Sequence, residues 1–268
     1  MTRLLVFVDS ERPDPYLNGV VHNLRSGSIS LITFIHVFGF PGDASVQPNP
    51  GRAKRTLASV LQGITSLAQR AEYSYPDGRT VALDEQNSGV PPSSVKAFYT
   101  HVDNMAVRCE SMDIHYRDLR KFLKKINQTE KEYIVDVTGF KKRFFGDFVA
   151  LGLVDNLKNI RTFDLLVETN FEAPWKVLLH ELAMTSAPAY DYVDIMETRI
   201  MADCSRAVFI RAPRLRYASM FAITLAAIGI CLNWYFGLES EQAKWVNVLA
   251  QFATFSALFF IFFPPRDA

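Results

Sequence analysis

The residues best suited to chemistry lie in the stretch IVDVTGFKKRFFGD, residues 134–147. An apolar run ends in Asp136, and a turn through Thr138 and Gly139 leads into a basic segment, Lys141, Lys142 and Arg143. Backbone N–H groups of such a turn, a helix N-terminus and positive side chains together favour an anionic ligand. The alternative is an ordinary strand-to-helix corner with a solvated basic edge.

A second polar group follows another apolar run, RLLVFVD at residues 3–9. It consists of Asp9, Ser10 and Arg12. Ligands of open parallel α/β sheets bind outside the carboxyl ends of the strands, where the strand order reverses. We therefore expect this group and the turn at 136–143 to contribute to one ligand-binding site.

The elements that would position these residues alternate between strand and helix. Near-continuous apolar runs predict strands at 3–9, 28–38, 79–83, 133–137 and 162–168, with a last strand around 206–211. Helical spacing of apolar residues predicts helices at 52–71, 115–127 and 143–159, and a short helix with Pro174 at its start. Segments 38–51 and 84–94 are predicted to be loops that project from the sheet. The pattern predicts a Rossmann-like α/β fold, with a mostly parallel sheet and helices on both faces.

The C-terminal region has a different composition. Two segments, at about 217–237 and 245–263, are apolar all round and nearly free of charge. Each is long enough to cross a hydrocarbon core of about 30 Å. Arginines precede the first segment and follow the second, whereas Glu239 and Glu241 lie between them. The sequence therefore predicts a domain at 1–212 and a transmembrane hairpin at 213–268, in the cell inner membrane with both termini cytoplasmic.

The second predicted span carries polar residues along one stripe. Asn247, Gln251 and Thr254 are spaced by four and three residues, which places them on one side of a helix. They could join helices by hydrogen bonds or line a hydrated pore. Because one hairpin encloses no lumen, a pore requires a homo-oligomer, such as a dimer or tetramer.

Motifs for catalysis are weak in this sequence. The five histidines form no HExxH, HxH or HD pattern, and no GxSxG segment occurs. The cysteines lack zinc-site spacing, so we predict no catalytic residue, metal site or cofactor. A membrane-tethered hydrolase of nucleotides or NAD remains an alternative because Glu168 lies at a strand end. A membrane-tethered interaction module is the other alternative.

The combination of DVTGFKKR after a strand, a Rossmann-like domain and an uncharged hairpin resembles prokaryotic antiviral membrane effectors. Their sensor domains have the CRISPR-associated Rossmann fold (CARF) or belong to the related SAVED group. The positions that match D-x-T-G-x-x-K are Asp136, Thr138, Gly139 and Lys142. The tail is similar to that of cyclic-oligonucleotide-gated effectors and of the Hailong type.

This resemblance implies that a cyclic or linear oligonucleotide is the ligand. A nucleotidyltransferase or polymerase of the same system would make it. The function expected is that of an anti-phage, abortive-infection effector. The oligonucleotide would control oligomeric transmembrane hairpins, so that the membrane is permeabilised or an ion channel opens.

Overall fold

The structure is a computed structural model of the chain, which divides into two compact units, Met1–Ala202 and Asp203–Ala268. It describes residues 2–27, 29–41, 51–75, 77–84, 86–105, 107–168, 172–201 and 203–204, and thirteen separate positions between 220 and 248.

The first unit is built on a six-stranded sheet with the order β5-β2-β1-β6-β7-β8. All neighbouring strands in it are parallel except β7 and β8, which pair antiparallel. A two-stranded antiparallel hairpin, β3-β4, forms separately. The strands are Thr2–Val8 (β1), Ile29–Phe38 (β2), Glu72–Ser74 (β3), Thr80–Ala82 (β4), Arg108–His115 (β5), Tyr133–Asp136 (β6), Ile160–Leu165 (β7) and Tyr190–Asp194 (β8).

Helices cover both faces of the sheet. They are Asp14–Arg25 (α1), Arg52–Arg70 (α2), Pro92–Asp103 (α3), Leu119–Thr129 (α4), Phe145–Asp155 (α5) and Leu179–Leu182 (α6). Residues of α1, α2, α3 and α6 pack into one apolar core, and residues of α4 and α5 pack into the other. The expected α/β fold with a mostly parallel, doubly covered sheet is therefore confirmed.

The central strand β1 shows why its sequence is apolar throughout. Leu4 and Val6 belong to the core under α1, whereas Leu5 and Phe7 belong to the core under α4 and α5. All four side chains are at most 1% exposed. A strand that is covered on both faces needs apolar residues at every position rather than at alternate ones.

Several elements differ from those predicted. The strands β3, β5 and β8 and the helices α1 and α3 were not predicted. Helix α4 begins at Leu119 rather than at 115, because the chain is strand up to His115 and a 3-10 turn from Tyr116 to Asp118. The described residues between Asp84 and Pro91 form no helix or strand, as predicted, and contacts with later residues hold this loop. Glu181 accepts a hydrogen bond from the Gly89 backbone N–H at 3.1 Å, and the Trp175 indole N–H donates to the Asn87 carbonyl at 2.8 Å. Pro92 already lies in α3.

In the second unit, the described positions between 220 and 248 are helical, and the Thr224 hydroxyl donates to the Met220 carbonyl at 2.9 Å. None of the helices formed by the described residues has the length and apolar character needed to cross a membrane. The predicted pore residues Asn247, Gln251 and Thr254 lie outside the described residues, as does the predicted strand at 206–211. Both predicted spans are described only in part.

Helix α1 lies very close to the end of β6. A Cβ atom at Gly19 in α1 would overlap the carboxylate of Asp136, the last residue of β6. Both residues are buried, so neither side can shift into solvent. The helix can rest on this part of the sheet only because position 19 lacks a side chain.

We predict that Gly19→Ala lowers the free energy of unfolding by about 1–3 kcal/mol, because the added methyl group forces α1 away from Asp136. The control is Gly146→Ala in α5, where an added Cβ meets no atom within 4 Å. That variant should be unchanged or more stable by up to about 1 kcal/mol, since alanine favours helix. Thermal unfolding of the full chain measures both; equal destabilisation by the two changes would contradict this packing.

Candidate anion-binding site at the carboxyl edge of the sheet

The strand order reverses between β1 and β6. The chain leaves β1 for α1, on one face of the sheet, and leaves β6 for α5, on the other face. The segments after Val8 and after Asp136 therefore border the crevice in which ligands of this fold class bind. One predicted site residue from each segment meets the other here: Lys141 Nζ lies 3.7 Å from Asp9 Oδ1.

The side chain of Tyr16 lies between the two segments that border this crevice. The backbone N–H groups of Asp9 and Ser10 both donate to the Tyr16 hydroxyl at 3.0 Å. A Cβ atom at Gly139 would overlap the Tyr16 ring, which is 1% exposed. Gly139 thus allows the ring to pack beneath the turn. Because the two amides already have a partner, a ligand near β1 has to be held mainly by side chains.

Asp136 and Thr138 hold the turn onto the neighbouring strands. Asp136 is 2% exposed, and its carboxylate accepts hydrogen bonds from the Thr138 backbone N–H at 2.9 Å and from the Tyr192 hydroxyl at 3.0 Å. The Thr138 hydroxyl oxygen accepts a hydrogen bond from the Phe163 backbone N–H at 2.9 Å. Burial raises the pKa of Asp136, and the hydrogen bonds from Thr138 and Tyr192 oppose this rise. In this structure both side chains brace the turn.

Two of the three basic residues after the turn lie over aromatic rings. The Lys141 ammonium lies 4.8 Å from the centroid of the Phe40 ring, and the Arg143 guanidinium lies 4.6 Å from that of Phe144. Arg143 also donates to the Pro41 carbonyl at 3.5 Å. Lys142 and Arg143 are exposed, whereas Lys141 is half-buried. Cation–π contacts of this kind hold positive groups at fixed positions without neutralising their charge.

Arg52 is a member of the site that sequence reasoning missed. It is the first residue of α2, and its guanidinium donates to the Asp9 carbonyl at 2.8 Å. Arg52 and Lys141 therefore approach Asp9 from two different elements. The basic segment RAKR at 52–55 could have marked it in the sequence, but only the fold brings α2 to this edge.

His36 and Asp113 were also missed. They are register partners on β2 and β5, and His36 Nδ1 lies 3.3 Å from Asp113 Oδ1. Asp113 also accepts a hydrogen bond from the Gly51 backbone N–H at 3.1 Å. Burial and then the charge of Arg52 lower the pKa of His36, while Asp113 opposes the shift. A neutral His36 next to Arg52 follows from this arrangement.

The predicted residue Arg12 lies near a different group. It is exposed, and its charge acts on Asp14, which accepts a hydrogen bond from the Tyr73 hydroxyl. Burial raises the pKa of Asp14, and Tyr73 and Arg12 lower it. Within the residues that the structure describes, no cluster of His, Cys, Asp and Glu has the arrangement of a metal site.

Comparisons with known proteins add little to this geometry. No protein-family model and no curated protein matches the chain. Among solved structures, the chain is similar to Enterococcus italicus Csm6 bound to cyclic hexa-2'-fluoro-hexa-dAMP, with 10% identity and a TM-score of 0.39. The similarity covers 98% of this chain and 56% of that chain. The sequence identity and the TM-score are too low to assign a shared fold or function.

The buried carboxyl group of Asp136 should make stability depend on pH. Burial raises its pKa above the ordinary value of 3.8, so the folded chain binds this proton more tightly than the unfolded chain does. Its stabilising contribution is complete below pH 3.8 and is lost as pH rises through the folded-state pKa.

We therefore predict that the Asp136→Asn variant gains stability relative to the wild type as the pH rises from about 4 to about 8, because asparagine has no such proton. The change should be about 1.4 kcal/mol for each unit by which the pKa is raised. Denaturant unfolding of both proteins over this range is the measurement. Parallel pH profiles would show that Asp136 does not carry this dependence.

Proposed function

We propose that residues 1–212 form a cytoplasmic sensor domain that binds a cyclic or linear oligonucleotide at the turn 136–143. The observation that carries this proposal is the position of Lys141 beside Asp9 at the reversal of strand order, with Lys142 and Arg143 exposed immediately after it. Consecutive cations suit a ligand with several phosphates better than one with a single negative charge. The net charge of the chain is only +1, so this positive charge is local.

A phosphate that binds at this turn would take the place of the Asp9 carboxylate as the partner of Lys141. Lys141 and Asp9 form a partly exposed ion pair, with side-chain exposures of 26% and 34%. Such pairs contribute only about 0–1 kcal/mol, so a phosphate can replace the Asp9 carboxylate at little expense. The Asp9 backbone remains attached to Arg52 while its side chain moves away.

Two contacts offer routes from the turn towards the C-terminal part of the chain. Asp136 is hydrogen-bonded to Tyr192 in β8, the last strand described before residue 203. Helix α5 follows the basic turn, and a Cβ at Gly152 in this helix would overlap the sulfur of Met196. A ligand that shifts the turn or α5 would therefore disturb β8 and the 3-10 turn Ile195–Glu197. The ligand controls the assembly only through different affinities for its two states.

The output would be a homo-oligomeric transmembrane domain, 213–268, in the cell inner membrane. Large apolar side chains support contact with lipid: Trp234 is 93% exposed, Ile230 is 70% exposed and Ile223 is 69% exposed. In a dimer or tetramer, the hairpins would permeabilise the membrane or form an ion channel. The protein would thereby act in anti-phage defence, with a nucleotidyltransferase or polymerase supplying the signal.

The first experiment is mass spectrometry of nucleotides that co-purify with the detergent-solubilised full chain. Wild-type protein should retain an oligonucleotide, and the double variant Lys142→Glu/Arg143→Glu should not. Equal retention by both proteins would reject the turn as the site. Turnover of the nucleotide by the purified protein would instead favour a hydrolase.

Single charge changes at the turn should move affinity in opposite directions. We predict that Lys142→Glu weakens oligonucleotide binding by about tenfold or more, because it replaces an attraction by a repulsion. Asp9→Asn should strengthen binding by about threefold, because the carboxylate that competes for Lys141 is removed. Lys96→Glu, an equal charge change on exposed α3, should alter affinity less than about twofold. Fluorescence anisotropy measures all three; equal effects of both lysine changes would indicate unspecific attraction only.

The polar stripe in the second span gives a separate prediction. Gln251→Leu and Thr254→Leu should abolish ion flux through liposomes that contain the full chain, because the pore would lose its hydrated lining. Oligonucleotide binding should be unchanged. Thr224→Val, in the other predicted span, is the control and should retain flux. Flux that persists in the leucine variants would exclude this stripe as a pore lining.

A further inference from the structure

A groove of about 360 Å³ lies between α4 and α5, on the face of the sheet opposite α1. Its lining combines apolar side chains with three charged ones. The lining residues are Tyr116, Arg117, Leu119, Arg120, Asp147, Ala150, Leu151 and Val154. None of the site residues predicted from the sequence is among them. The volume is enough for one nucleobase with part of its sugar.

The polar groups of the groove are held in place by their neighbours. The Tyr116 hydroxyl donates to Asp147 Oδ2 at 2.6 Å. Arg120 donates to both carboxylate oxygens of Asp155, at 2.8 and 3.0 Å. Arg117 is exposed at the rim. A planar ring, a carboxylate and two guanidinium groups therefore surround a partly apolar space.

Aromatic contacts connect this groove to the basic turn. Tyr116 packs against Phe144 with ring centroids 5.5 Å apart, and against Phe40 with centroids 5.0 Å apart. Phe40 and Phe144 stack at 4.4 Å, and these are the rings over which Lys141 and Arg143 lie. A continuous set of cation–ring and ring–ring contacts therefore joins the crevice to the groove. Phe40 is 5% exposed, so Phe40 and Phe144 form a packed layer beneath the cations, and Tyr116 is the ring of this layer that lines the groove. Surfaces that track single-stranded nucleic acid combine cations with such accessible rings.

We infer that the α4–α5 groove is a second subsite, which binds a further nucleotide unit of the same oligonucleotide. This inference rests on the proposed function of the turn. The base enters the groove against Leu151 and Val154, and its phosphate meets Arg117 and Arg120. The Asp147 carboxylate accepts a hydrogen bond from an exocyclic amino group, so the subsite selects adenine, cytosine or guanine over uracil.

The direct test fills the groove without touching the turn. Ala150 is exposed in α5, so Ala150→Trp adds bulk to the groove rather than to the core. Gln128→Trp adds the same bulk at an exposed position of α4 that does not line the groove. The probes are fluorescein-labelled single-stranded oligoribonucleotides, linear and cyclic, of one to six adenosine units, titrated against the detergent-solubilised full chain.

Ala150→Trp should weaken binding of the longer probes by about tenfold, the loss expected for one base that no longer stacks. Binding of the mononucleotide and the effect of Gln128→Trp should both stay within about twofold of the wild type. Equal affinities of Ala150→Trp and wild type for every probe would overturn the subsite. If Lys142→Glu still weakens binding in that case, the turn remains the site; if wild type binds no probe, both proposals fail.

Base selection has its own test. The wild type should bind oligoadenylate more tightly than oligouridylate of the same length, and Asp147→Asn should reduce this ratio because the carboxylate acceptor is lost. The amide can still accept the hydrogen bond of Tyr116, so the groove keeps its shape. A ratio that is unchanged in Asp147→Asn would overturn the assigned role of Asp147.

Discussion

A carboxyl group at the end of β6 has to be buried beneath a helix, and much of the first unit follows from this constraint. Asp136 is 2% exposed, and a buried carboxyl group is unfavourable unless hydrogen bonds replace water. Tyr192 supplies one of these bonds from β8 and is itself fixed by the Asn23 amide of α1 at 2.8 Å. Gly19 lets α1 come close enough to complete the enclosure. One polar group thus sets the distances between β6, β8 and α1.

The same constraint separates a rigid part of the turn from an adjustable part. Asp136 and Thr138 are bound to neighbouring strands, and Gly139 rests on the Tyr16 ring. The residues that follow carry their charges on long side chains, of which Lys142 and Arg143 are exposed. Adjustable cations beside a braced turn suit a ligand whose phosphates are spaced along a chain, because the long side chains can adapt to that spacing.

Sequence patterns predicted the strands that are buried on both faces. They did not predict elements whose secondary structure depends on contacts between distant segments of the chain. β1 and β6 are covered on both faces, so their apolar runs were sufficient. β8 contains Asp191 and Asp194 and becomes a strand by pairing with β7 and by stacking of Tyr190 on Phe163 at 5.0 Å. The spacing of apolar residues in the sequence contains no information about pairing with β7 or stacking on Phe163.

The candidate site likewise has residues that the sequence pattern predicted and residues that it missed. Asp9 and Lys141 follow the carboxyl ends of β1 and β6, where the rule for open parallel sheets places ligand-binding residues, and their side chains lie 3.7 Å apart. Arg52 and His36 were missed because they come from elements whose approach to Asp9 depends on how α2 and β2 are placed. Whether any of these residues binds a ligand stays a prediction.

Charge at the crevice also limits how its selectivity could arise. Asp9 and Asp113 offset the charges of Lys141 and Arg52, so the positive charge that remains at this edge is that of Lys142 and Arg143. When a phosphate replaces the Asp9 carboxylate beside Lys141, the gain in binding free energy is small, because Lys141 is partly exposed and already has an anionic partner. Such exchange would admit many anions with similar affinity. Discrimination among oligonucleotides would then have to come from shape and base contacts farther away, and the groove lined by Tyr116 and Asp147 has the ring and the acceptor for them.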